Sequence, residues 1–283
     1  MTAPEGARTP APVAPDVLAA RLAAGRTGRG ALLVALDHDG TLSPIAPRPD
    51  LATLAPGAAE ALAALAGHAD VAIVSGRGLA DLERRFAGLP LTLVSEHGLR
   101  RRDPDGTTAA LAPALDPALL DGLRARLAAL LADQRSTEGT DGTADASGGW
   151  LVEDKGVAVA VHHRLVPDEA LEPTLSAVRT ALEDAAGTTG RVQEGKAVLE
   201  LRPAGAEKGA ALRTLAAARP DAFVVMVGDD RTDEPALAAA EALGGVGVLV
   251  DATGRPSAAS VRVDDPAAVV ALLVALAAAL SRG

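Results

Sequence analysis

Residues 32–44, Leu-Leu-Val-Ala-Leu-Asp-His-Asp-Gly-Thr-Leu-Ser-Pro, decide the fold that we predict for this chain. The short apolar run at their start is followed by a Gly-containing turn, which predicts a buried strand over 31–36. This strand delivers Asp37 and Asp39 into the turn, and ligands of open α/β sheets bind at that end of the strands. Two carboxylates so close repel each other, so a hard cation such as Mg²⁺, a shared proton or solvent must offset the repulsion. An ordinary Asp-rich turn is the alternative explanation.

The composition limits the kind of protein that these 283 residues can form. Cysteine is absent, which excludes disulfides and thiolate metal sites and fits a reducing, cytoplasmic environment. The net charge of −10 argues against nucleic acid and anionic membranes as partners. With no Tyr, one Trp and two Phe, recognition of a sugar or base by aromatic stacking is nearly excluded. We expect a monomer that acts on a small molecule.

Neither end of the chain is predicted to cross a membrane. Residues 1–30 lack the uninterrupted apolar core of a signal peptide and are predicted to form a flexible tail with a short helix near 17–24. The apolar stretch after Asp265 is about fifteen residues long, whereas a membrane span needs roughly 20. We expect a buried helix with Asp265 as its N-cap and Pro266 at its first position.

Strand and helix patterns alternate along most of the chain, which predicts an α/β core with a mostly parallel sheet and helices on both faces. The predicted strands of this core are 31–36, 71–74, 91–94, 223–227 and 246–250. Its predicted helices are 56–66, 79–85, 208–217 and 234–243.

An inserted α+β domain is predicted over 104–204, so that the core consists of 31–103 and 205–283. The elements predicted within it are helices at 116–133 and 168–186, two stretches with strand periodicity at 150–163 and 191–202, and a polar loop at 133–149. Its strands alternate apolar with charged residues, which predicts a sheet with one polar face. That face belongs either to a lid that closes over the active site or to an ordinary half-solvated sheet.

Polar residues that could bind a phosphate or a metal ion follow other predicted strands of the core or begin one of its helices. Ser75-Gly76 follows strand 71–74, where a hydroxyl and backbone N–H groups can contact a phosphate. Lys208 at a helix start supplies a candidate positive charge. Four carboxylates follow strand 223–227 within six residues: Asp229, Asp230, Asp233 and Glu234. Such a cluster is costly unless a metal is present.

In their order and context these residues resemble the four motifs of the haloacid dehalogenase superfamily of phosphatases. Further motifs make the resemblance specific to trehalose-6-phosphate phosphatases over about residues 31–243. They are Ser95-Glu96-His97-Gly98, Glu153-x-Lys155, Gly195-Lys196-x-x-x-Glu200-x-Arg202 and Gly228-Asp229-Asp230-Arg231-Thr232-Asp233-Glu234. The resemblance implies a haloacid-dehalogenase-like Rossmannoid core with an inserted α+β cap domain.

The resemblance also implies chemical roles. Asp37 would be the nucleophile that forms an aspartyl-phosphate, and Asp39 the general acid and then the base. Ser75 and Lys208 would neutralise the phosphoryl oxygens. The implied ligands of Mg²⁺ are Asp37, the backbone carbonyl of Asp39, Asp229 and, through a water, Asp233. The implied sugar contacts are Glu96, Glu153, Lys155 and Glu200, together with His97, Lys196 and Arg202.

The predicted function is hydrolysis of trehalose 6-phosphate to trehalose and phosphate, the last step of trehalose biosynthesis. A phosphatase for sucrose phosphate or a hexose phosphate is the neighbouring alternative. A phospho-accepting regulatory module is a third, although Asp39 and the inserted domain argue against it. A regulatory remnant of a fused enzyme is a fourth, although no motif residue is lost. One departure from the family is His38, which stands where an aromatic residue is usual.

Overall fold

The computed structural model describes residues 7–26, 28–132, 148–195 and 197–282. The predicted sugar contact Lys196 lies outside the described residues, as does nearly all of the predicted polar loop. The chain divides into two compact units, Met1–Leu111 with Ala206–Gly283 and Ala112–Gly205. We call these the first and the second unit.

The elements follow one another in a regular order along both units. The strands are β1 (Ala11–Pro12), β2 (Ala31–Leu36), β3 (Asp70–Val74), β4 (Thr92–Ser95), β5 (Arg100–Arg102), β6 (Thr108–Ala110), β7 (Leu151–Asp154), β8 (Val159–His162), β9 (Gly190–Gly195), β10 (Val198–Pro203), β11 (Ala222–Gly228), β12 (Val246–Val250) and β13 (Val261–Val263). The helices are α1 (Pro15–Gly25), α2 (Ala58–Ala66), α3 (Leu79–Arg85), α4 (Pro117–Ala132), α5 (Asp168–Ala186), α6 (Lys208–Ala217), α7 (Glu234–Ala242) and α8 (Pro266–Leu280).

The first unit is built on one sheet, whose described strands have the order β1-β13-β12-β11-β2-β3-β4-β5-β6. Every pairing from β1 to β4 is parallel, and only β5 and β6 are added antiparallel. Strands β2 and β11 are neighbours, with Leu36 opposite Val227. Because parallel strands end at the same sheet edge, the residues that follow β2 and β11 meet there.

Helices cover both faces of this sheet, as predicted. In β2, Leu32, Val34 and Leu36 pack into one apolar cluster with α1, α2 and α8, while Leu33 and Ala35 pack into another with α6 and α7. Each fully buried Leu or Val contributes about 1.5–3 kcal/mol to stability. Helices therefore cover both faces of β2, and a ligand is expected at its carboxyl end.

The N-terminal segment is paired with the sheet, whereas the sequence predicted a tail before the helix. The backbone groups of Arg8 and Ser257 exchange two hydrogen bonds of 2.9 Å, and β1 pairs with β13. An edge strand tolerates the prolines of this segment because only one side of it needs a partner. The predicted short helix follows as α1.

The boundary between the units lies at 111/112, eight residues beyond the predicted 103/104. The reason is the hairpin of β5 and β6, which extends the first unit's sheet beyond β4. A strand of three arginines, Arg100–Arg102, shows no apolar alternation. It joins the sheet through backbone pairing with β4 and β6, and Arg102 also pairs with Glu83 of α3.

The second unit has an antiparallel sheet with the order β7-β8-β10-β9 among its described strands. One face packs against α4 and α5 through residues such as Leu127, Val161 and Leu182. The register places Glu153 opposite Ala160 and Ala160 opposite Glu200 on the other face. The alternation predicted from the sequence is thus present in this sheet.

The C-terminal apolar stretch forms α8 within the first unit. Asp265 caps it by accepting a hydrogen bond from the Ala268 N–H at 2.8 Å, and Pro266 is its first residue, as predicted. Leu272, Leu273 and Leu276 are buried in the sheet's apolar cluster. None of the helices that the structure describes combines the length and apolarity needed to cross a membrane.

Candidate active site

Lys208 lies between two carboxylates at the carboxyl edge of the first unit's sheet. Its Nζ donates to Oδ1 of Asp37 and to Oδ1 of Asp233, both at 2.7 Å. Asp37 directly follows β2, and Lys208 is the first residue of α6. The side chains of Lys208, Asp37 and Asp233 are 3%, 7% and 0% exposed, so water screens these charges weakly.

Asp233 organises the loop that follows β11. Its Oδ2 accepts hydrogen bonds from the backbone N–H groups of Asp229 and Asp230, both at 3.0 Å. A Cβ on Gly228 would lie 2.5 Å from Cγ of Asp233, so only glycine fits there. With Lys208 on its other oxygen, Asp233 fixes both the loop and the lysine; its predicted contact with a metal-bound water stays a prediction.

The turn after β2 and the loop after β11 meet at Gly40. A Cβ at this position would lie 2.1 Å from Oδ2 of Asp229. The φ of Gly40 is +83°, a conformation that favours glycine. The carboxylate of Asp229 therefore occupies the space that a side chain at position 40 would need.

The charges of this cluster shift one another's protonation. Burial and the carboxylates of Asp233 and Asp229 raise the pKa of Asp37 well above its usual value, although Lys208 opposes this. For Lys208, burial disfavours the charged form, but Asp233 and Asp37 raise its pKa. The ammonium is therefore fixed, while a proton or a cation must balance the excess of carboxylates.

The described acidic residues that lie close enough to hold a metal ion are Asp37, Asp229 and Asp233, with one oxygen of each within 4.8 Å of the others. Three ionised carboxylates and one lysine carry a formal charge of −2, which a divalent cation would neutralise. Hard oxygen ligands are those that Mg²⁺ prefers. The residues present therefore fit Mg²⁺.

The other two carboxylates of the predicted acidic run have structural partners. Asp230 accepts a hydrogen bond from the Arg231 N–H at 2.7 Å and caps the 3₁₀ turn Arg231–Asp233. Glu234 is buried and accepts hydrogen bonds from Ser257 Oγ at 3.0 Å and the Ala258 N–H at 2.8 Å. Only half of the run thus belongs to the candidate metal cluster.

Asp39 is held by Arg77, which follows Ser75-Gly76 and was not among the predicted site residues. Arg77 donates from Nε to Oδ2 of Asp39 and from Nη2 to Oδ1, each at 2.7 Å. Nδ1 of His38 lies 3.2 Å from both Asp39 Oδ1 and Arg77 Nε. Burial opposes ionisation, but the hydrogen bonds of His38 and Arg77 hold the pKa of Asp39 well below its usual value. This is the ionised form that a general base needs.

Arg77 is itself fixed by a second carboxylate. Its Nη1 donates to Asp81 Oδ2 at 2.7 Å, and its backbone N–H donates to Ser75 Oγ at 3.2 Å. A buried arginine needs a paired carboxylate, and its place after Ser75-Gly76 was the one signal that could have found it.

The unusual His38 is fully buried and packs edge-on against Phe86, with ring centroids 5.7 Å apart. It therefore fills the position of an aromatic residue.

Glu96 and His97 lie close to the Ser75 turn within the first unit. Both have positive φ, 46° and 57°. The Glu96 carboxylate accepts hydrogen bonds from the Leu79 N–H at 3.1 Å, at the start of α3, and from the hydroxyl of Ser95. The His97 ring lies against Gly76, where a Cβ would approach Nε2 to 2.4 Å. Both residues thus shape the edge of the site, and their predicted sugar contacts stay predictions.

The remaining predicted sugar contacts that the structure describes lie on the second unit, where each is paired with a neighbour. Lys155 Nζ donates to Glu200 Oε1 at 2.8 Å, and Arg202 Nη2 donates to Gln193 Oε1 at 3.1 Å. Glu153 Oε2 lies 2.9 Å from His162 Nε2. Burial raises the pKa of Glu153, but the hydrogen bond of His162 and the charge of Lys155 lower this pKa below its usual value. Glu153, Lys155, Glu200 and Arg202 thus bring acidic and basic side chains to one face of the sheet.

Comparison with known proteins agrees with the resemblance. The family model described as trehalose-phosphatase matches residues 35–267. A probable trehalose-phosphate phosphatase of Sinorhizobium fredii is 36% identical over 230 residues, which cover 80% of this chain and 78% of that protein. An uncharacterized glycosyl hydrolase of Mycobacterium tuberculosis is 42% identical over 255 residues. That match covers 86% of this chain, but the chain spans only 18% of the length of that relative.

A solved structure shares the fold over nearly its whole length. The C-terminal domain of the Candida albicans trehalose-6-phosphate phosphatase matches with a TM-score of 0.76 and 23% identity. The match covers 96% of this chain and 99% of that one. This likeness shows the fold, which is the haloacid-dehalogenase-like one predicted from the motifs.

Proposed function

The chain belongs to the trehalose-phosphatase family, and from this premise we propose that it hydrolyses trehalose 6-phosphate to trehalose and phosphate with the help of Mg²⁺. The product makes this the last step of trehalose biosynthesis. We further propose that the protein acts as a monomer in the cytoplasm, with a sugar phosphate as its small-molecule partner.

The buried cluster at the carboxyl edge of the sheet is the observation that carries this proposal. It combines a carboxylate at the end of β2, a fixed ammonium 2.7 Å from it, and two further carboxylates within 4.8 Å. Phosphoryl transfer needs a nucleophile and positive charge around the phosphoryl oxygens. Asp37 supplies the first and Lys208 part of the second.

In the first step, a carboxylate oxygen of Asp37 attacks phosphorus and the bond from phosphorus to the sugar oxygen breaks. Asp39 gives a proton to the departing sugar oxygen. Asp39 must be protonated for this step, whereas in the structure it is ionised and paired with Arg77. Arg77 keeps a charged partner in Asp81 when it releases Asp39, which favours this exchange.

In the second step, Asp39 removes a proton from a water molecule whose oxygen attacks phosphorus. The bond from phosphorus to Asp37 then breaks, and phosphate and the free Asp37 carboxylate result. The pairing of Asp39 with Arg77 and His38 stabilises the ionised form that accepts this proton. Lys208 stays protonated throughout because Asp37 and Asp233 raise its pKa.

A magnesium ion would be held by Asp37 and Asp229, with Asp233 behind them and the Asp39 carbonyl as the implied further ligand. When bound, it supplies positive charge that neutralises the phosphoryl oxygens and orients the phosphate. The excess negative charge of the cluster supports this assignment.

The phosphatase proposal is tested by phosphate release from a panel of sugar phosphates, with Mg²⁺ and with a chelator. We expect Mg²⁺-dependent release, highest with trehalose 6-phosphate, and none from Asp37→Asn. Asp16→Asn, an exposed change on α1, is the matched control and should keep full activity. Preference for sucrose phosphate or a hexose phosphate would replace the substrate assignment, and Asp37→Asn at full activity would refute the covalent mechanism.

Asp39→Asn separates protonation of the leaving group from the rest of the reaction. The single-turnover rate on trehalose 6-phosphate should fall far more than that on an activated aryl phosphate, which needs little protonation. An equal loss on both substrates would refute the general-acid role.

We propose that the polar sheet face of the second unit selects the sugar. Glu153, Lys155 and Glu200 are charged hydrogen-bonding groups on this unit, and a hydrogen bond to a charged group contributes about 1.5–3 kcal/mol. Glu153→Gln and Glu200→Gln should therefore lower kcat/KM for trehalose 6-phosphate more than for an aryl phosphate. Glu194→Gln on β9 is the control, because this exposed residue points to the opposite face. Unchanged selectivity in both variants would refute the assignment.

A further inference from the structure

We infer that Arg255 is a positioning residue for the magnesium ligand Asp229, acting through the backbone of Asp229. The inference rests on the proposed function, since it concerns the same site. Arg255 lies outside the sequence motifs that carry the family resemblance. It belongs to the loop between β12 and β13.

The peptide groups on both sides of Asp229 are held by charged side chains. Arg255 Nη2 donates to the carbonyl oxygen of Asp229 at 2.9 Å. On the other side, the Asp229 N–H donates to Asp233 Oδ2 at 3.0 Å. With both its N–H and its C=O fixed, the backbone of Asp229 holds its Cβ at the place from which the carboxylate reaches Gly40 and Asp37.

Arg255 is anchored by a buried carboxylate. Its Nη1 donates to Glu234, whose side chain is 9% exposed at the start of α7. The other oxygen of Glu234 accepts from Ser257 Oγ and the Ala258 N–H. Glu234 therefore connects three parts of the structure: the Arg255 side chain, the loop between β12 and β13, and helix α7.

The loop that carries Arg255 has a fixed backbone. Asp251 Oδ2 accepts hydrogen bonds from the N–H groups of Arg255, at 3.0 Å, and of Gly254. It also accepts from Thr253 Oγ1 at 2.8 Å. These bonds fix the backbone from which the Arg255 side chain reaches the loop that follows β11.

This arrangement predicts a dependence of metal affinity on Arg255. Partners behind a metal ligand typically change affinity or activity 10–100-fold when they are removed. The planar fork of arginine reaches the Asp229 carbonyl and Glu234 at the same time, which the single ammonium of lysine does less well. Arg255→Lys should therefore bind Mg²⁺ with an affinity between those of the wild type and Arg255→Ala.

The test is calorimetric titration of the full, metal-free chain with Mg²⁺, alongside hydrogen exchange of the 228–233 backbone. Arg262→Ala is the matched control, since Arg262 donates to the carbonyl oxygens of Asp251, at 2.9 Å, and Ala252, at 3.2 Å, in the same loop. We expect Arg255→Ala to lower Mg²⁺ affinity about 10-fold or more and to speed exchange over 228–233. Arg262→Ala should change neither.

Equal Mg²⁺ affinities of the wild type, Arg255→Ala and Arg255→Lys would overturn the inference, as would an equal loss in Arg262→Ala. A wild type that takes up no Mg²⁺ would overturn it as well. A wild type that binds Mg²⁺ but releases no phosphate would refute the proposed function alone. In that case a selective loss of affinity in Arg255→Ala would still support the positioning role.

Discussion

Replacing Lys208 by methionine removes the ammonium that contacts Asp37 and Asp233 but keeps most of the apolar stem. The three residues are almost fully buried, so solvent does not replace the lost charge. Removing one partner of a buried ion pair typically costs about 3–5 kcal/mol. We expect a loss of stability of this size in metal-free buffer at neutral pH, because protonation of Asp37 would relieve only part of the repulsion.

A matched control is Arg126→Met on α4. Arg126 pairs with Asp184 at 2.8 Å, nearly the distance found at Lys208, but the side chains are 47% and 59% exposed. Such exposed pairs contribute about 0–1 kcal/mol. Burial, and not distance, therefore predicts the difference between the two variants.

The assay is urea unfolding followed by circular dichroism, in chelator and in saturating Mg²⁺. Mg²⁺ should stabilise Lys208→Met more than the wild type, since the three carboxylates then lack their lysine and the bound ion stabilises the folded state. Turnover should stay about 10²–10³-fold below the wild type, because the charge on the phosphoryl group is still missing. A stability loss no larger than that of Arg126→Met, or full turnover in Mg²⁺, would refute this reasoning.

Three further predictions follow from the site and its surroundings. Because the pKa of Asp37 is raised in the folded state, protonation of Asp37 stabilises the metal-free protein fully below about pH 4, and this contribution is lost as the pH rises through the folded pKa. Mg²⁺ affinity measured by calorimetry should rise as the pH increases through the same pKa. An affinity that does not change with pH would contradict this prediction. Gly40→Ala should abolish Mg²⁺ binding in calorimetry, because the added Cβ would collide with the Asp229 carboxylate. Gly106→Ala has a similar φ of +88° and nothing within 4 Å, so it should leave Mg²⁺ binding unchanged and lower the free energy of unfolding by only about 1–2 kcal/mol. Asp265→Ala should cost about 0.5–2 kcal/mol in urea unfolding with unchanged turnover, and a loss of turnover would argue against a purely capping role.

Hydrophobic periodicity was sufficient to predict the centre of the fold. The strands β2, β3, β4, β11 and β12 all lie within one residue of their predicted bounds. The sequence did not reveal β1, β13 or the hairpin of β5 and β6. These are strands of two or three residues near the sheet edges, where backbone pairing and not side-chain burial decides the structure.

The candidate site was predictable where its residues directly follow parallel strands of the core, and not where a contact joins residues outside such positions. Asp37 and Asp229 meet because both follow neighbouring parallel strands. The pairing of Asp39 with Arg77 joins residues 38 apart, and the place of Arg77 after Ser75-Gly76 does not specify which carboxylate it contacts. The same holds for Arg255, which donates to a carbonyl oxygen that every residue possesses. Such contacts depend on the tertiary structure alone.

The pairing of β2 with β11 also constrains the order in which the protein matures during synthesis. Ala31 lies opposite Ala222, so the two strands are about 190 residues apart in the chain and form a contact of high order. The ribosome makes β2, β3 and β4 before the second unit, whereas β11, the partner of β2, emerges only after the whole second unit. Because the second unit has its own apolar core, its folding would bring the chain ends at 112 and 205 to a fixed separation and lower the entropic cost of closing this loop. Damage to that core would then delay completion of the acid cluster, although every residue of the cluster belongs to the first unit.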